Sequence, residues 1–261
     1  MKKYINKVIQ GDCLEVMKSI PDKSIDMILA DLPYGTTACK WDTIIPFEPL
    51  WEQYHRIIKD NGAIVLTASQ PFTSALVMSN IKNFRYEWIW HKNSSGSFAT
   101  AKKQPMKYHE NILVFSRKQT IYNPIFQEYS KSTQHRFKDS EKINRNKQLL
   151  KSTNEIQKGL SFEGEQPILI NRGKYPESVQ LFNNDANNKR LHPTQKPVAL
   201  FEYLIKTYTN EGDLVLDNCA GSGTTGVACK NTNRNYILIE KEPEYCDIIK
   251  ERVGCEIIKE I

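Results

Sequence analysis

One segment constrains the fold of this chain more than any other: an apolar run that ends in an acid and continues into a glycine-rich loop. Leu214–Asp217 is typical of a buried strand, and a helical pattern begins at Thr224. Between them, Gly221 and Gly223 allow the backbone of the loop to approach a ligand closely. A strand, a glycine loop and a helix in this order predict an α/β fold that binds a ligand at a strand end.

Further strands and helices are indicated by apolar runs and by 3.6-residue spacing along the rest of the chain. The predicted strands cover residues 7–12, 25–30, 63–68, 84–90, 111–116, 213–217 and 236–240. The predicted helices cover residues 13–20, 47–59, 72–80, 198–208, 224–230 and 243–253. Asn61 and Gly62 are expected to end the second helix. This alternation predicts a doubly wound, parallel or mixed sheet with helices on both faces.

The regular pattern weakens between residues 119 and 190, where Asn, Gln, Ser and Lys are frequent. Between Lys118 and Arg190 there are 13 Lys and Arg against 8 Asp and Glu, so this part holds most of the net charge of +6. We therefore predict one domain from residues 1–118 and 191–261, with an inserted lobe of residues 119–190. The positive surplus favours a polyanionic partner, although a solvated surface has the same composition.

Composition argues against several classes of protein. The chain has no run of about 18 apolar residues, so no membrane span is expected. Its basic start lacks the apolar segment of a signal peptide. The six cysteines lack the spacing of zinc ligands, and they are expected to be reduced thiols. We therefore expect a cytoplasmic protein without a metal and without a membrane partner.

A second predicted strand end carries a carboxylate, a proline and an aromatic ring. Asp31, Leu32, Pro33 and Tyr34 directly follow the predicted strand 25–30. A carboxylate, a backbone carbonyl held by a rigid proline and an aromatic ring suit a flat base with an exocyclic amine. The alternative for Asp31 is an aspartate that caps a turn.

The glycine loop favours a nucleoside cofactor that has no pyrophosphate. Glu240 ends the next predicted strand, 23 residues after Asp217, where an acid can bind the hydroxyl groups of a ribose. The loop is not a P-loop, because no Gly-Lys-Ser/Thr follows it, and its surroundings differ from the dinucleotide-binding pattern. An ordinary tight turn is the alternative for an isolated Gly-x-Gly.

Three segments together resemble the β class of amino-group DNA methyltransferases, which use S-adenosylmethionine. They are Asp31–Tyr34 (DLPY), His192–Pro197 (HPTQKP) and Asp217–Gly223 (DNCAGSG). The base-binding motif comes first, the variable lobe second and the cofactor loop last, which in this class reflects a circular permutation of the class I methyltransferase fold. The resemblance covers residues 7–118 and 191–253, and it makes the inserted lobe the region that recognises double-stranded DNA.

The resemblance implies a catalytic role for each residue of the first motif. Asp31 and the carbonyl of Leu32 would accept hydrogen bonds from the target amine, while Pro33 would hold that carbonyl in place. Tyr34 would stack on a base flipped out of the duplex. The family usually has a second proline where Leu32 stands. Because a backbone carbonyl is needed there, the departure does not remove the function.

The resemblance also implies which residues bind S-adenosylmethionine. They are Asp12, Asp31, Thr194, Gln195, Lys196, Asp217, Ala220, Gly221, Ser222, Gly223, Thr224 and Glu240. Asp12 would hold the adenine amine of the cofactor, with a helix N-cap as the alternative. Thr194, Gln195 and Lys196 would wrap the methionine end.

The expected acceptor is the N6 of adenine, because the family motif tends to begin with Asp in adenine enzymes and with Ser in cytosine-N4 enzymes. Cytosine N4 is the alternative, whereas C5 methylation would need a cysteine nucleophile. An inactive DNA-binding module and a nucleotide-dependent dehydrogenase are hypotheses from other classes. Intact Asp31, Tyr34 and Glu240 disfavour the first, and the second does not account for residues 31–34. The sequence leaves open a homodimer and a cognate restriction endonuclease as partners.

Overall fold

The computed structural model describes residues 1–37, 39, 42–95, 101–128, 174–184 and 195–259. Strands β1 to β9 cover Lys7–Gln10, Ile25–Asp31, Ile58–Ala68, Phe84–His91, His109–Phe115, Val179–Leu181, Leu214–Asp217, Asn235–Glu240 and Glu256–Lys259. Helices α1 to α6 cover Cys13–Lys18, Phe47–Ile57, Phe72–Ser79, Val198–Tyr208, Thr224–Asn231 and Pro243–Ile249. A π-helix, Lys250–Gly254, continues α6.

These nine strands form one sheet in the order β6-β4-β5-β3-β2-β7-β8-β1-β9. Strand β5 is antiparallel to both of its neighbours, and the other pairings are parallel. The carboxyl ends of β1, β2, β3, β7 and β8 therefore lie along one edge of the sheet, where the first residues of β5 also lie. The mostly parallel α/β sheet predicted from the sequence is confirmed.

The hydrophobic core lies in two layers, one on each face of the sheet. Along β2, Ile28 and Ala30 belong to one layer, whereas Met27 and Leu29 belong to the other. This alternation is the two-residue period of a strand. Helices α1, α2 and α3 bury their apolar sides in the first layer, and α4, α5 and α6 bury theirs in the second. Burial on both faces explains the continuous apolar runs in the sequence.

The expectation that Asn61 and Gly62 end a helix is wrong. Helix α2 ends at Ile57 and β3 begins with the next residue, so Asn61 and Gly62 lie inside a strand. The register between β2 and β3 shifts at this point. A Cβ atom at Gly62 would lie 2.7 Å from the carbonyl oxygen of Asp26. Glycine is needed here because β2 approaches closely.

The chain divides into two compact units, residues 1–123 with 177–261, and residues 124–176. In the second unit, the backbones of Gln127 and Lys174 pair, and the rings of Phe126 and Tyr175 lie 4.9 Å apart. The boundaries of the inserted lobe at residues 119 and 190 stay a prediction. Across the described ranges, no helix has the length and apolarity needed to span a membrane.

Candidate functional site

Acidic side chains stand at the carboxyl ends of four adjacent parallel strands. Asp31 ends β2, Asp217 ends β7, Glu240 ends β8, and Asp12 follows β1 by two residues. These strands are neighbours in the order β2-β7-β8-β1. A cavity of about 780 Å³ opens along this edge and is lined by all four acids. The two loops singled out in the sequence therefore open into the same cavity, which has the size of a ligand pocket.

Two glycines shape the loop between β7 and α5. The φ angle is +52° at Gly221 and +80° at Gly223, a region that residues with a side chain rarely adopt. A Cβ atom at Gly223 would lie 3.1 Å from the side chains of Ile249 and Val253. The N–H of Gly221 donates to Glu240 Oε2 at 2.8 Å. The loop is thereby fixed between the π-helix region and the end of β8.

Glu240 and Asp12 each combine a structural contact with a place on the cavity wall. The carboxylate of Glu240 accepts backbone N–H groups, among them those of Gly221 at 2.8 Å and Glu242 at 2.9 Å. Further acceptor positions remain for hydroxyl groups of a ligand. Burial raises the pKa of Glu240 above its usual range. Asp12 accepts the N–H of Leu14 at 3.0 Å as the N-cap of α1, so the cap considered from the sequence is present.

Asp217 is buried, and its carboxylate is bonded within its own loop. It accepts the N–H of Cys219 at 3.0 Å and the hydroxyl of Thr225. Burial raises the pKa of Asp217 from 3.8 to about 7. Its carboxylate holds the loop, and its contact with a cofactor stays a prediction.

We expect Asp217→Asn to stabilise the protein above pH 7. Because the folded pKa is raised, the folded state keeps a proton that the unfolded chain has released, and stability falls as pH rises from about 4 to 7. Above pH 7, the raised pKa of Asp217 lowers the free energy of unfolding by about 4 kcal/mol, at 1.36 kcal/mol for each pKa unit. Asparagine does not ionise, so the variant should have a higher melting temperature than wild type at pH 8 and a smaller advantage at pH 5.

Thermal unfolding of both proteins at these two pH values checks this expectation. Asp247→Asn, at an exposed aspartate, is the control for replacing a carboxylate by an amide, and it should keep the melting temperature of wild type. An equal difference between Asp217→Asn and wild type at pH 5 and pH 8 would contradict the raised pKa.

The carboxylate of Asp31 is bonded by side chains from three segments. Its Oδ1 accepts hydrogen bonds from the hydroxyl groups of Tyr34, at 2.8 Å, and of Thr67. Its Oδ2 accepts a hydrogen bond from Lys196 Nζ at 2.5 Å. Thr67 lies opposite Asp31 on the neighbouring strand β3. A carboxylate offers about four acceptor positions, so the bonds from the described residues leave one position on Oδ2. Asp31 lines the cavity, where a ligand amine can reach this position.

The ring of Tyr34 is covered on one face by a core aromatic residue. It stacks on Phe72 with 5.1 Å between ring centroids and an interplanar angle of 25°. Phe72 is buried in the core, whereas Tyr34 lines the cavity. On the cavity side, Lys196 Nζ lies over the ring of Tyr34, 5.7 Å from its centroid. Burial, followed by the charges of Asp31 and Glu110, raises the pKa of Tyr34, so the hydroxyl stays protonated.

Lys196 lines the cavity with only 6% of its side chain exposed. Its Nζ is 2.5 Å from Asp31 Oδ2 and 3.5 Å from Glu110 Oε2. Burial opposes its charge, but the two carboxylates outweigh burial and raise the pKa of Lys196. Its neighbour Gln195 accepts the hydroxyl of Ser222 at 3.3 Å, which joins this segment to the glycine loop.

The structure brings the predicted site residues together at this cavity. The predicted residues that line it are Asp12, Asp31, Leu32, Pro33, Tyr34, Gln195, Lys196, Asp217, Ala220, Gly221, Ser222, Thr224 and Glu240. Of the predicted residues that the structure describes, Gly223 alone does not line the cavity, and it acts by shaping the loop. Thr194 lies outside the described residues.

Several residues of the site were not predicted from the sequence. Asp42 accepts the N–H groups of Gly35, Thr36 and Thr37 at 2.8, 2.9 and 2.6 Å, and so holds the loop that follows Tyr34. Burial opposes the charge of Asp42, but these bonds outweigh it and lower its pKa.

Two further unpredicted residues support the site from outside the motifs. Arg252 donates to the carbonyl and the hydroxyl of Ser222, both at 2.9 Å, and braces the glycine loop. Thr67 is a residue with a hydroxyl group within an apolar run. The strand pairing explains why a polar residue stands there, because Thr67 lies beside Asp31.

Comparison with known proteins identifies what the chain is similar to. The model of the family N6_N4_Mtase, described as "DNA methylase", matches residues 25–251. The DNA adenine methyltransferase YhdJ of Escherichia coli is 30% identical, over 91% of this chain and 79% of that protein. The type II methyltransferase M.HpaI of Haemophilus parainfluenzae is 27% identical, over 96% of this chain and 74% of that protein.

Solved structures show the same fold. The complex of M1.HpyAVI with S-adenosylmethionine superposes with a TM-score of 0.59 at 25% identity, over 94% of this chain and 98% of that one. The cytosine-N4-specific PvuII DNA methyltransferase superposes with a TM-score of 0.61 at 15% identity, over 97% and 95% of the two chains. At that identity the second likeness concerns the fold alone.

Proposed function

This chain belongs to the N6/N4 DNA methylase family and uses S-adenosylmethionine, and from this premise we propose that it methylates the N6 of adenine in duplex DNA. The observation that carries the proposal is the single cavity shared by Asp31, Tyr34 and the glycine loop. A base-binding motif and a cofactor loop can cooperate in transfer only if they meet in one space.

The donor set of the cavity fits the nucleoside part of the cofactor. Glu240 retains acceptor positions for ribose hydroxyls, and Asp12 stands beside it at the end of β1. Gly221 lines the cavity without a side chain that would keep a ligand away from the backbone. We assign the ribose to Glu240, the adenine amine to Asp12, and the methionine end to residues 194–196 near Ser222.

Asp31 and Leu32 would act on the target amine by accepting its hydrogen bonds. The lone pair of an aromatic amine is delocalised into the ring, so the nitrogen is a weak nucleophile. Two acceptors, Asp31 Oδ2 and the Leu32 carbonyl, would favour a tetrahedral nitrogen and localise that pair. When bound, S-adenosylmethionine supplies an activated methyl group to this nitrogen, which then releases a proton. The protein contributes mainly positioning and electrostatics.

The target base must leave the duplex to reach Asp31, at a cost of a few kcal/mol. Stacking on Tyr34 would offset about 1–3 kcal/mol of this cost. Phosphate contacts from the basic region 119–190 would supply more, and its polar side chains would read the recognition sequence. We propose that this region is the inserted lobe of a circularly permuted fold whose catalytic domain is residues 1–118 and 191–261, acting in the cytoplasm.

Adenine is preferred over cytosine for two reasons. The motif begins with Asp31, as is typical of the adenine enzymes of the family, and the relative YhdJ is an adenine methyltransferase. Cytosine N4 is the second candidate, because the same cavity would accept a similar amine and the PvuII enzyme has the same fold.

Nucleoside analysis of methylated DNA tests the proposal. The purified protein is incubated with mixed-sequence DNA and S-adenosylmethionine, and the digested DNA is analysed by mass spectrometry. N6-methyladenine is the expected product, and it should be absent with Asp31→Ala. N4-methylcytosine would establish the second candidate instead. A bound but unmethylated DNA would favour the inactive DNA-binding module.

A further inference from the structure

A cluster of four side chains with alternating charges, Lys92, Glu110, Lys196 and Asp31, extends from the side of the cavity to Asp31. Lys92 Nζ bonds Glu110 Oε1, Glu110 Oε2 lies 3.5 Å from Lys196 Nζ, and Lys196 Nζ lies 2.5 Å from Asp31 Oδ2. The exposed fractions of the four side chains are 19%, 14%, 6% and 19%, in this order. Together they carry two positive and two negative charges in a place that water reaches poorly.

Glu110 is the carboxylate of this cluster that none of the three motifs contains; Lys92 also lies outside them. Glu110 is the second residue of β5, and because β5 is antiparallel, this start of the strand lies at the same sheet edge as Asp31. Its Oε2 is buried and makes no hydrogen bond within the described chain beyond the ion pair with Lys196. Burial opposes ionisation, but the charges of Lys196 and Lys92 outweigh burial and lower the pKa of Glu110.

Such a buried network is weak evidence of a stabilising role. The cost of removing charges from water offsets much of their attraction, so a buried ion pair often contributes little net stability. Its position beside Asp31 points to a different role. Lys196 has three donors, and a lysine shared between two carboxylates leaves an acceptor position of Asp31 unoccupied.

We propose that Glu110 is a positioning residue for methyl transfer, which acts through Lys196 on the carboxylate of Asp31. This inference rests on the proposed function. By drawing the ammonium of Lys196 toward itself, Glu110 keeps one acceptor position on Asp31 Oδ2 free for the target amine. It also keeps the four-residue cluster neutral. The amine nitrogen gains positive charge during transfer, and a cluster with a surplus positive charge would oppose that change.

Two substitutions separate charge from shape. Glu110→Gln keeps the shape of the side chain and removes its charge, whereas Glu110→Asp keeps the charge on a shorter side chain. We expect Glu110→Gln to lower kcat about 10–100-fold, the scale of a misplaced catalytic group, with cofactor Kd and KM for DNA within about twofold of wild type. Glu110→Asp should lose severalfold in kcat and remain more active than Glu110→Gln. A residue that only fills space would give the opposite order.

The matched control is Glu87→Gln, an exposed glutamate on the adjacent strand β4 that bonds Asn111 at 2.8 Å. It should keep the kcat of wild type. Thermal unfolding reports whether each variant folds. If Glu110→Gln does not fold, the severalfold loss of kcat expected for Glu110→Asp becomes the test of the inference. The inference is overturned if either Glu110 variant has a kcat within twofold of wild type, or if Glu110→Gln is more active than Glu110→Asp. These outcomes leave the proposed function intact. Wild type that methylates no base overturns the proposed function as well.

Discussion

Asp31→Ala is expected to abolish methyl transfer, with kcat lowered at least about 1000-fold, while the cofactor still binds. Loss of one preorganised hydrogen-bonding group at a reacting centre costs about 100–1000-fold, and Asp31 also anchors Tyr34 and Lys196. Cofactor contacts at Glu240 and the glycine loop lie on other strands and should survive. The checks are methyl transfer to DNA under saturating conditions and calorimetric titration with S-adenosylhomocysteine.

The control for this prediction removes a single partner of Asp31. Thr67→Val deletes one hydroxyl that bonds Asp31 Oδ1 and leaves the Tyr34 and Lys196 bonds in place. It should reduce kcat by far less than Asp31→Ala. Because Asp31→Ala removes a counter-ion of the buried Lys196, thermal unfolding must show that the variant is folded. Turnover close to wild type would exclude the catalytic role of Asp31.

Gly223→Val is expected to weaken cofactor binding at least about 100-fold. Its φ of +80° is unfavourable for valine, and the added Cβ would lie 3.1 Å from Ile249 and Val253, so the loop must move. Movement at Gly223 displaces Gly221 and Ser222, which line the cavity. Titration with S-adenosylhomocysteine measures the loss directly.

Gly212→Val is the matched control for the glycine loop. Gly212 also has a positive φ, +84°, but a Cβ there would have no neighbour within 4 Å among the described residues, and Gly212 precedes β7 at the end away from the cavity. Backbone strain of about 1–2 kcal/mol should lower its stability. Its affinity for the cofactor should equal that of wild type. Unchanged affinity in Gly223→Val, or equal losses in both variants, would contradict the assigned cofactor site.

The order and type of the main elements were predictable because both faces of the sheet are buried. Helix Val198–Tyr208 has the bounds predicted from its apolar spacing, and β2 differs from its prediction by one residue. The short edge strands β6 and β9 were missed, since three or four residues show little periodicity. Gly62 was misread because the local pattern of a helix end does not show how closely the neighbouring strand approaches.

The acids of the site were predictable for a topological reason. Asp31, Asp217 and Glu240 each end an apolar strand, and in a parallel sheet such ends share one edge. The contacts of these acids were not predictable. Thr67 depends on the register of β3, and Glu110 depends on the reversed direction of β5, neither of which the sequence shows.

A crystal structure with S-adenosylhomocysteine and a duplex that contains the methylated site tests the central claim most directly. We predict a flipped adenine that contacts the ring of Tyr34, with its N6 about 3 Å from Asp31 Oδ2. The ribose of the cofactor product should bond Glu240 in the same cavity. An adenine that stays stacked in the duplex, or a cofactor product bound in a cavity that Asp31 does not line, would contradict the account.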